Sequence, residues 1–379
     1  MDKYKEDVVE DINLNNIMKN KENKPLINIS INEVKTRSKN NFLLAYISLI
    51  KIISAFLVIL KHTNRDYWVF SSYWVSTNIM ASFCMCAVPL FSLCIGATLL
   101  NFNERYDIKE YWKRRFNKII VPIIGWNIIY YIYRVYILKN YKIGNLNFIT
   151  LYKLYFNNEL YPIIDSLRIF IYGYMVIPLI AYVQKINKIQ IYSYCFLILL
   201  INQSIIPYLL KFNRNNIVIW PYNYDSGYII YVFAGYIIQN HRFEKKYKIL
   251  IYISGSIGLF MRLYIAHYLT FKYKEVDRTQ INYQNVSIVF YSCSVFLFIK
   301  ENCNHLFKII NINYIYKIGS LSLGPFFLHY MIIWSLPYLF NINKNHFNYR
   351  FFGAFIISII CFMITAVIKK IPFIKYLIP

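Results

Sequence analysis

The feature that most constrains this chain is a succession of apolar runs, most of them roughly 18 to 24 residues long and separated by short polar links. A helix needs about 20 predominantly apolar residues to cross the roughly 30 Å of hydrocarbon in a bilayer. Ten runs qualify, at 42–62, 79–101, 119–138, 163–184, 191–210, 217–238, 249–270, 284–299, 318–340 and 351–368. The pattern therefore predicts an all-α integral membrane protein, a bundle of about ten transmembrane helices. Composition agrees, because 58% of the 379 residues are hydrophobic and only 16% are charged, against about a quarter charged in soluble domains.

Basic residues orient the bundle, since cytoplasmic loops carry an excess of Lys and Arg. With the N-terminus inside, the inner segments hold 21 basic residues and the outer segments 12. This favours N-in, C-in and an even number of crossings. Residues 1–41 are polar and mixed in charge, without the apolar core of a signal peptide. They read as a flexible cytoplasmic tail, followed by a transmembrane domain at 42–370 and a cytoplasmic tail at 371–379. No repeat relates the two halves, which argues against an inverted-repeat transporter.

A net charge of +24 in a soluble protein would suggest nucleic acid. Here Lys, Asn, Ile and Tyr are enriched together, as an AT-rich coding bias produces, so no nucleic-acid partner is expected. The seven cysteines (84, 86, 94, 195, 293, 303 and 361) lie mostly in apolar runs and form no C-x-x-C pair. Neither a disulfide framework nor a metal site is indicated.

Ionisable residues inside spans are costly and are candidates for function. Lys51 and His62, in LIKIISAFLVILKHT, are eleven residues apart. That is about three helical turns, which puts both on one face of the first span, about 16 Å apart along its axis. Lys51 can equally snorkel and His62 can merely mark the interface. Arg134, Arg168 and Arg262 lie in or near other runs and read as functional or as snorkelling. Asp165 stands three residues before Arg168, a spacing that allows pairing on one helix face. The inner loop YDIKEYWKRRFNKIIVP gathers Lys113, Arg114, Arg115 and Lys118 beside aromatics. It suits the phosphates of a nucleotide-bearing donor or of lipid headgroups, and topology alone explains it as well. His329, in IGSLSLGPFFLHYMIIW, reads as a packed imidazole. The sequence holds no G-x-S-x-G, Walker or H-E-x-x-H pattern.

Several of these pieces, in order, resemble the acyltransferase 3 family, in particular its branch that O-acylates surface polysaccharides. LIKIISAFLVILKHT is similar to that family's opening helix, with a basic residue eleven positions before a His. CAVPLFSLCIGATLLN followed by YWKRRFNKIIVPIIGWNIIYYIY resembles its second span, basic loop and third span. YIIYVFAGYIIQN and IGSLSLGPFFLHYMII resemble its sixth and ninth spans. Departures are visible too. Lys51 and Ser48 stand where the family commonly has Arg and an acidic residue, and Arg115-x-x-Lys118 replaces R-x-x-R. The family's His-Leu-Trp-Phe stretch before the fourth span is absent.

The resemblance implies a membrane-bound O-acyltransferase, typically an O-acetyltransferase of the bacterial cytoplasmic membrane. It implies acetyl-CoA or another acyl-CoA as co-substrate, no bound cofactor, and a glycan or glycolipid hydroxyl as acceptor. His62 would be the catalytic base, with Lys51, Arg114, Arg115, Lys118 and Arg168 binding substrates. Two alternatives stay open, a saccharide translocase and a catalytically degenerate member of the family.

Overall fold

The computed structural model describes residues 31–64, 69–137, 164–183, 188–212, 228–277, 280 and 282–378. Among these residues all regular structure is helical. The N-terminal tail before residue 31 and the Asp165–Arg168 side chains, both assigned from sequence, lie outside the described parts. The chain clusters into two units, Met1–Ile47 and Ser48–Pro379. The first contains the leading part of helix α1 (Ile31–Thr63), and the second contains the rest of that helix and everything below.

The helices that follow are α2 (Trp74–Cys84), α3 (Ala87–Leu99), α4 (Ile108–Arg115), α5 (Val121–Ile132), α6 (Ile164–Val183), α7 (Lys188–Leu199) and α8 (Ile206–Phe212). They continue with α9 (Ile229–Asn240), α10 (Lys245–Tyr273), α11 (Val286–Ile309), α12 (Ile312–Gly319), α13 (Leu323–Phe340) and α14 (Phe347–Ile368). Eight segments are long and apolar enough to cross a bilayer: Leu43–Thr63, Trp74–Glu104, Ile108–Ile137, Lys188–Leu209 and the four helices α10, α11, α13 and α14. The apolar stretches Gly173–Tyr182 and Ile229–Asn240 are shorter. Eight rather than ten is the count among the described residues. The run read as a span at 217–238 carries PYNYDSG in its first half, a stretch of turn-forming residues. The helix there starts only at Ile229, and residues 213–227 lie outside the described part.

A second difference concerns the basic loop expected before residue 119. It is helical, and the chain runs as one rod through Ile108–Ile137. Asp107 caps α4 by accepting a hydrogen bond from the Glu110 backbone N–H at 2.8 Å. The charge run continues helically because Glu110 and Arg114 stand one turn apart and pair. Pro122 lacks the N–H that would bond the Lys118 carbonyl. The helix absorbs this by widening into a π-turn over Phe116–Ile120, with the Val121 N–H reaching the Phe116 carbonyl. Pro207 does the same to the Gln203 carbonyl, and α7 joins α8 through a π-turn at Leu200–Ile205.

The surface of α10 identifies the solvent. Ile253, Ile257, Phe260 and Tyr264 recur at helical spacing and are each more than half exposed, whereas the inward stripe is Gly255, Gly258, Arg262, Ala266 and Thr270. Water would not tolerate that outer stripe as a free surface, and lipid would. Within lipid, helices associate by close packing and hydrogen bonds rather than by hiding apolar area. Accordingly α3 and α9 meet through glycines. A methyl group at Gly96 would collide with the Val232 carbonyl, and one at Gly235 with the Leu93 carbonyl.

Candidate functional site

The site is built around the C-terminal end of α1, where His62 is the penultimate residue. Its Nδ1 lies 2.8 Å from the phenol oxygen of Tyr330 on α13. The next imidazole, His329, packs against it with ring centres 5.2 Å apart. Tyr330 closes a three-ring cluster at 4.7 Å from both histidines.

Helix α13 is fixed in place by α5 and α14. The phenol of Tyr130 donates to the Phe327 carbonyl at 2.7 Å, and Tyr133 shares a 2.7 Å bond with Ser335. Trp126 stacks on Phe327 at 5.5 Å, and Tyr133 on Trp334. From α14, Tyr349 donates to the Ile333 carbonyl at 3.2 Å. The Arg134 guanidinium sits 5.5 Å from the Trp334 ring, and Trp334 in turn contacts Tyr330. Arg134 is thus a cation held on an aromatic face near the site.

Buried cations surround the same end. Arg262 is 2% exposed, and its Nη1 donates to the Asn78 carbonyl, to Asn78 Oδ1 and to Ser82 Oγ. It neither snorkels nor falls outside its span, which corrects the bland alternative for this residue. Lys61 and Arg350, counted above among the outer cations, are inside the protein at 6% and 3% exposure. Lys61 donates to the phenol of Tyr283, which burial keeps neutral by pushing its pKa upward. Arg350 reaches Ser76 Oγ at 3.0 Å and lies over the Tyr73 ring. Its backbone carbonyl accepts from Thr63 Oγ1 at 2.8 Å and from Asn64 Nδ2 at 3.1 Å, which ties α14 to the residues directly after His62.

Lys51, with Arg114, Arg115 and Lys118 of the Ile108–Ile137 rod, forms a second cluster about three helical turns from His62. Half-buried Lys51 lies near Cys94 of α3 and within electrostatic range of Lys118. Lys118 also feels Arg115, Arg114 and Lys369. Arg115 hydrogen-bonds Tyr174 and rests 5.6 Å from the rings of Tyr111 and Tyr174. Arg114 is already paired, at 2.7 Å to Glu110, and lies over Tyr106. Lys369 donates to the Ser320 carbonyl at 2.8 Å, and partial burial lowers its pKa. Beneath this patch lies an apolar core of Leu99, Phe102, Tyr111, Ile177, Tyr192 and Tyr236.

The structure therefore gathers Arg114, Arg115 and Lys118 of the Ile108–Ile137 rod at the level of Lys51 on α1, and sets His62 about three turns further along α1. The side chain of Arg168 is outside the described part. Sequence reasoning did not join His62 to Tyr330 and His329, and it did not see that Lys61 and Arg350 are buried. The adjacency of Lys61 to His62 was the one available signal. Among the described residues, no three His, Cys, Asp or Glu side chains gather to hold a metal ion.

Comparison with known proteins gives one match. Residues 44–368 fit a family profile described as an acyltransferase domain. No curated protein and no solved structure matches the chain.

Proposed function

The chain belongs to the acyltransferase 3 family, and from that premise we propose that it is a multi-pass O-acyltransferase moving an acetyl or related acyl group from acyl-CoA to a hydroxyl of a cell-surface polysaccharide or glycolipid. The observation that carries this reading is the setting of His62, an imidazole held by Tyr330 at 2.8 Å on the same helix as Lys51, which lies within electrostatic range of Lys118 in the cationic patch. An imidazole, which can both take up and give back a proton, suits the part of a general base.

In this mechanism the His62 Nδ1–H donates to the Tyr330 oxygen, so that Nε2 carries the lone pair that takes the proton. The acceptor oxygen attacks the thioester carbonyl carbon as its proton passes to His62. The C–S bond then breaks, and the proton is returned to the leaving thiolate, giving ester and free CoA. Lys51, Arg115 and Lys118 hold the phosphates of the donor at the opposite end, with Arg114 at the rim. The acyl-bearing arm follows α1 for about 16 Å to the base. Arg168 keeps a substrate-binding role on sequence grounds.

We place both termini in the cytoplasm, with ten crossings that include the runs at 163–184 and 217–238, to which the helices Ile164–Val183 and Ile229–Asn240 belong. The excess of 21 over 12 basic residues on the inner segments supports this. It puts the cationic patch on the cytoplasmic side, where acyl-CoA is available, and His62 towards the outer face of a bacterial cytoplasmic membrane.

The test is release of CoA thiol from acetyl-CoA by protein in bilayers, with and without glycan from the producing cells. Glycan-dependent release that disappears in His62→Ala is the expected result. A well-folded wild type that releases no thiol from any of several acyl-CoA donors would overturn it in favour of a translocase or an inactive scaffold.

A further inference from the structure

His329 has a fixed tautomer. Its Nδ1 lies 2.9 Å from the Pro325 carbonyl oxygen. A carbonyl can only accept, so Nδ1 carries the hydrogen and Nε2 presents a lone pair. His329 is fully buried, and that Nε2 has no hydrogen-bond partner among the described residues. A buried acceptor left this way keeps the full cost of its lost hydration, so such groups in native proteins call for an explanation. A purely packed aromatic at this position would be served better by Phe, which fits the same ring contacts with Phe326 and Tyr330.

The orphaned nitrogen is not in a remote part of the core. It belongs to the ring packed 5.2 Å, centre to centre, from His62. Two imidazoles at that separation can each take one hydroxyl. A vicinal pair of hydroxyls is the smallest sugar unit that offers one group to each ring. A lone alcohol would satisfy His62 and leave His329 as it is.

Resting on the acyltransferase reading above, we propose that His329 is a substrate-binding residue whose Nε2 accepts a hydrogen bond from the hydroxyl adjacent to the one that His62 deprotonates, so that the acceptor is a vicinal diol. His329 holds the sugar by the hydroxyl that does not react and thereby selects which one does. A site built to bond a hydroxyl discriminates strongly against the analogue that lacks it, because the protein group is then left unsatisfied.

The experiment crosses protein with substrate. Full-length wild type, His329→Phe and His329→Gln in lipid nanodiscs are assayed for acetyl transfer from acetyl-CoA to methyl hexosides and to their matched monodeoxy forms. Wild type is expected to lose about tenfold to a hundredfold in kcat/KM when the neighbouring hydroxyl is removed. His329→Phe should be low with both acceptors and indifferent to the deletion. His329→Gln, which returns an acceptor oxygen, should recover part of the discrimination. Equal treatment of the two acceptors by wild type, or undiminished discrimination in His329→Phe, would overturn the proposal.

A second readout needs no turnover and so separates this idea from the acyltransferase reading. With nitrogen-15 in the histidine rings, the unprotonated Nε2 signal that vanishes in His329→Phe should move when the intact methyl hexoside is added. It should stay in place with the monodeoxy form. A signal that ignores both sugars at saturating concentration means that the nitrogen holds water at most, and the proposal fails even if the enzyme turns over.

Discussion

The Lys51 and His62 levels of α1 hold cations in opposite ways. At the Lys51 level the charges sit at or near the surface, where Lys51 and Lys118 act on each other through space and Arg114 and Arg115 rest over aromatic faces with a single bonded partner each, Glu110 and Tyr174. At the His62 end Lys61, Arg262 and Arg350 are buried, and each makes directed hydrogen bonds to named oxygens. The first arrangement is tolerant, since any compact positive charge in the patch serves a phosphate about equally. The second is specific, because a buried donor that loses its geometry also strands its partners. The difference teaches where substitution changes degree and where it changes kind.

The comparison breaks most readily at the base. His62→Ala should lower kcat for acyl transfer by about 10²–10⁴-fold, the usual worth of a positioned proton acceptor, with normal insertion confirmed by size-exclusion chromatography. Arg262→Leu removes the donor for the Asn78 and Ser82 oxygens and should destabilise the protein by about 1–3 kcal/mol, read from thermal unfolding in detergent. Near-identical unfolding would mean that Arg262 is as tolerant as the other end. Tyr330→Phe deletes the group that orients the His62 ring and should cut kcat about tenfold while leaving the KM for acyl-CoA unchanged. At the patch, Lys118→Ala should raise the KM for acyl-CoA only a few-fold and should flatten its dependence on salt. The smallest effect is expected at Arg114→Ala, because Glu110 already neutralises that guanidinium. An Arg114 effect on KM larger than that of Lys118 would reverse the proposed division of labour within the patch.

What could be read in advance follows the same divide. Apolar runs reported helices because a bilayer allows the backbone no alternative, and the run drawn at 42–62, with Lys51 and His62, became Leu43–Thr63. The KRRFNK stretch looked like a loop because its charge was weighed and its cap was not. Asp107 and the Glu110–Arg114 spacing were both visible, and together they specify a helix start. What a Pro inside a rod does to local geometry, a π-turn at the carbonyl left bare, appears only in three dimensions. The imidazole cluster was the least legible part. His62 and Tyr330 are 268 positions apart, and no periodicity within either helix announces that their faces meet. Lys61 and Arg350 were hidden for a related reason, since a cation at the end of a run looks the same in sequence whether it bends to water or turns inward.

The continuity of α1 between the two ends makes it a ruler as well as a wall. Its register sets both the spacing and the bearing of His62 relative to Lys51. One residue added between them would turn His62 by about 100° and carry it off the Tyr330 phenol, whereas four added residues would restore its bearing to within about 40° and move it about 6 Å further away. A graded set of such insertions measures the reach of whatever travels between the patch and the base. It turns the length of a single helix into a gauge for the length of the acyl donor's arm.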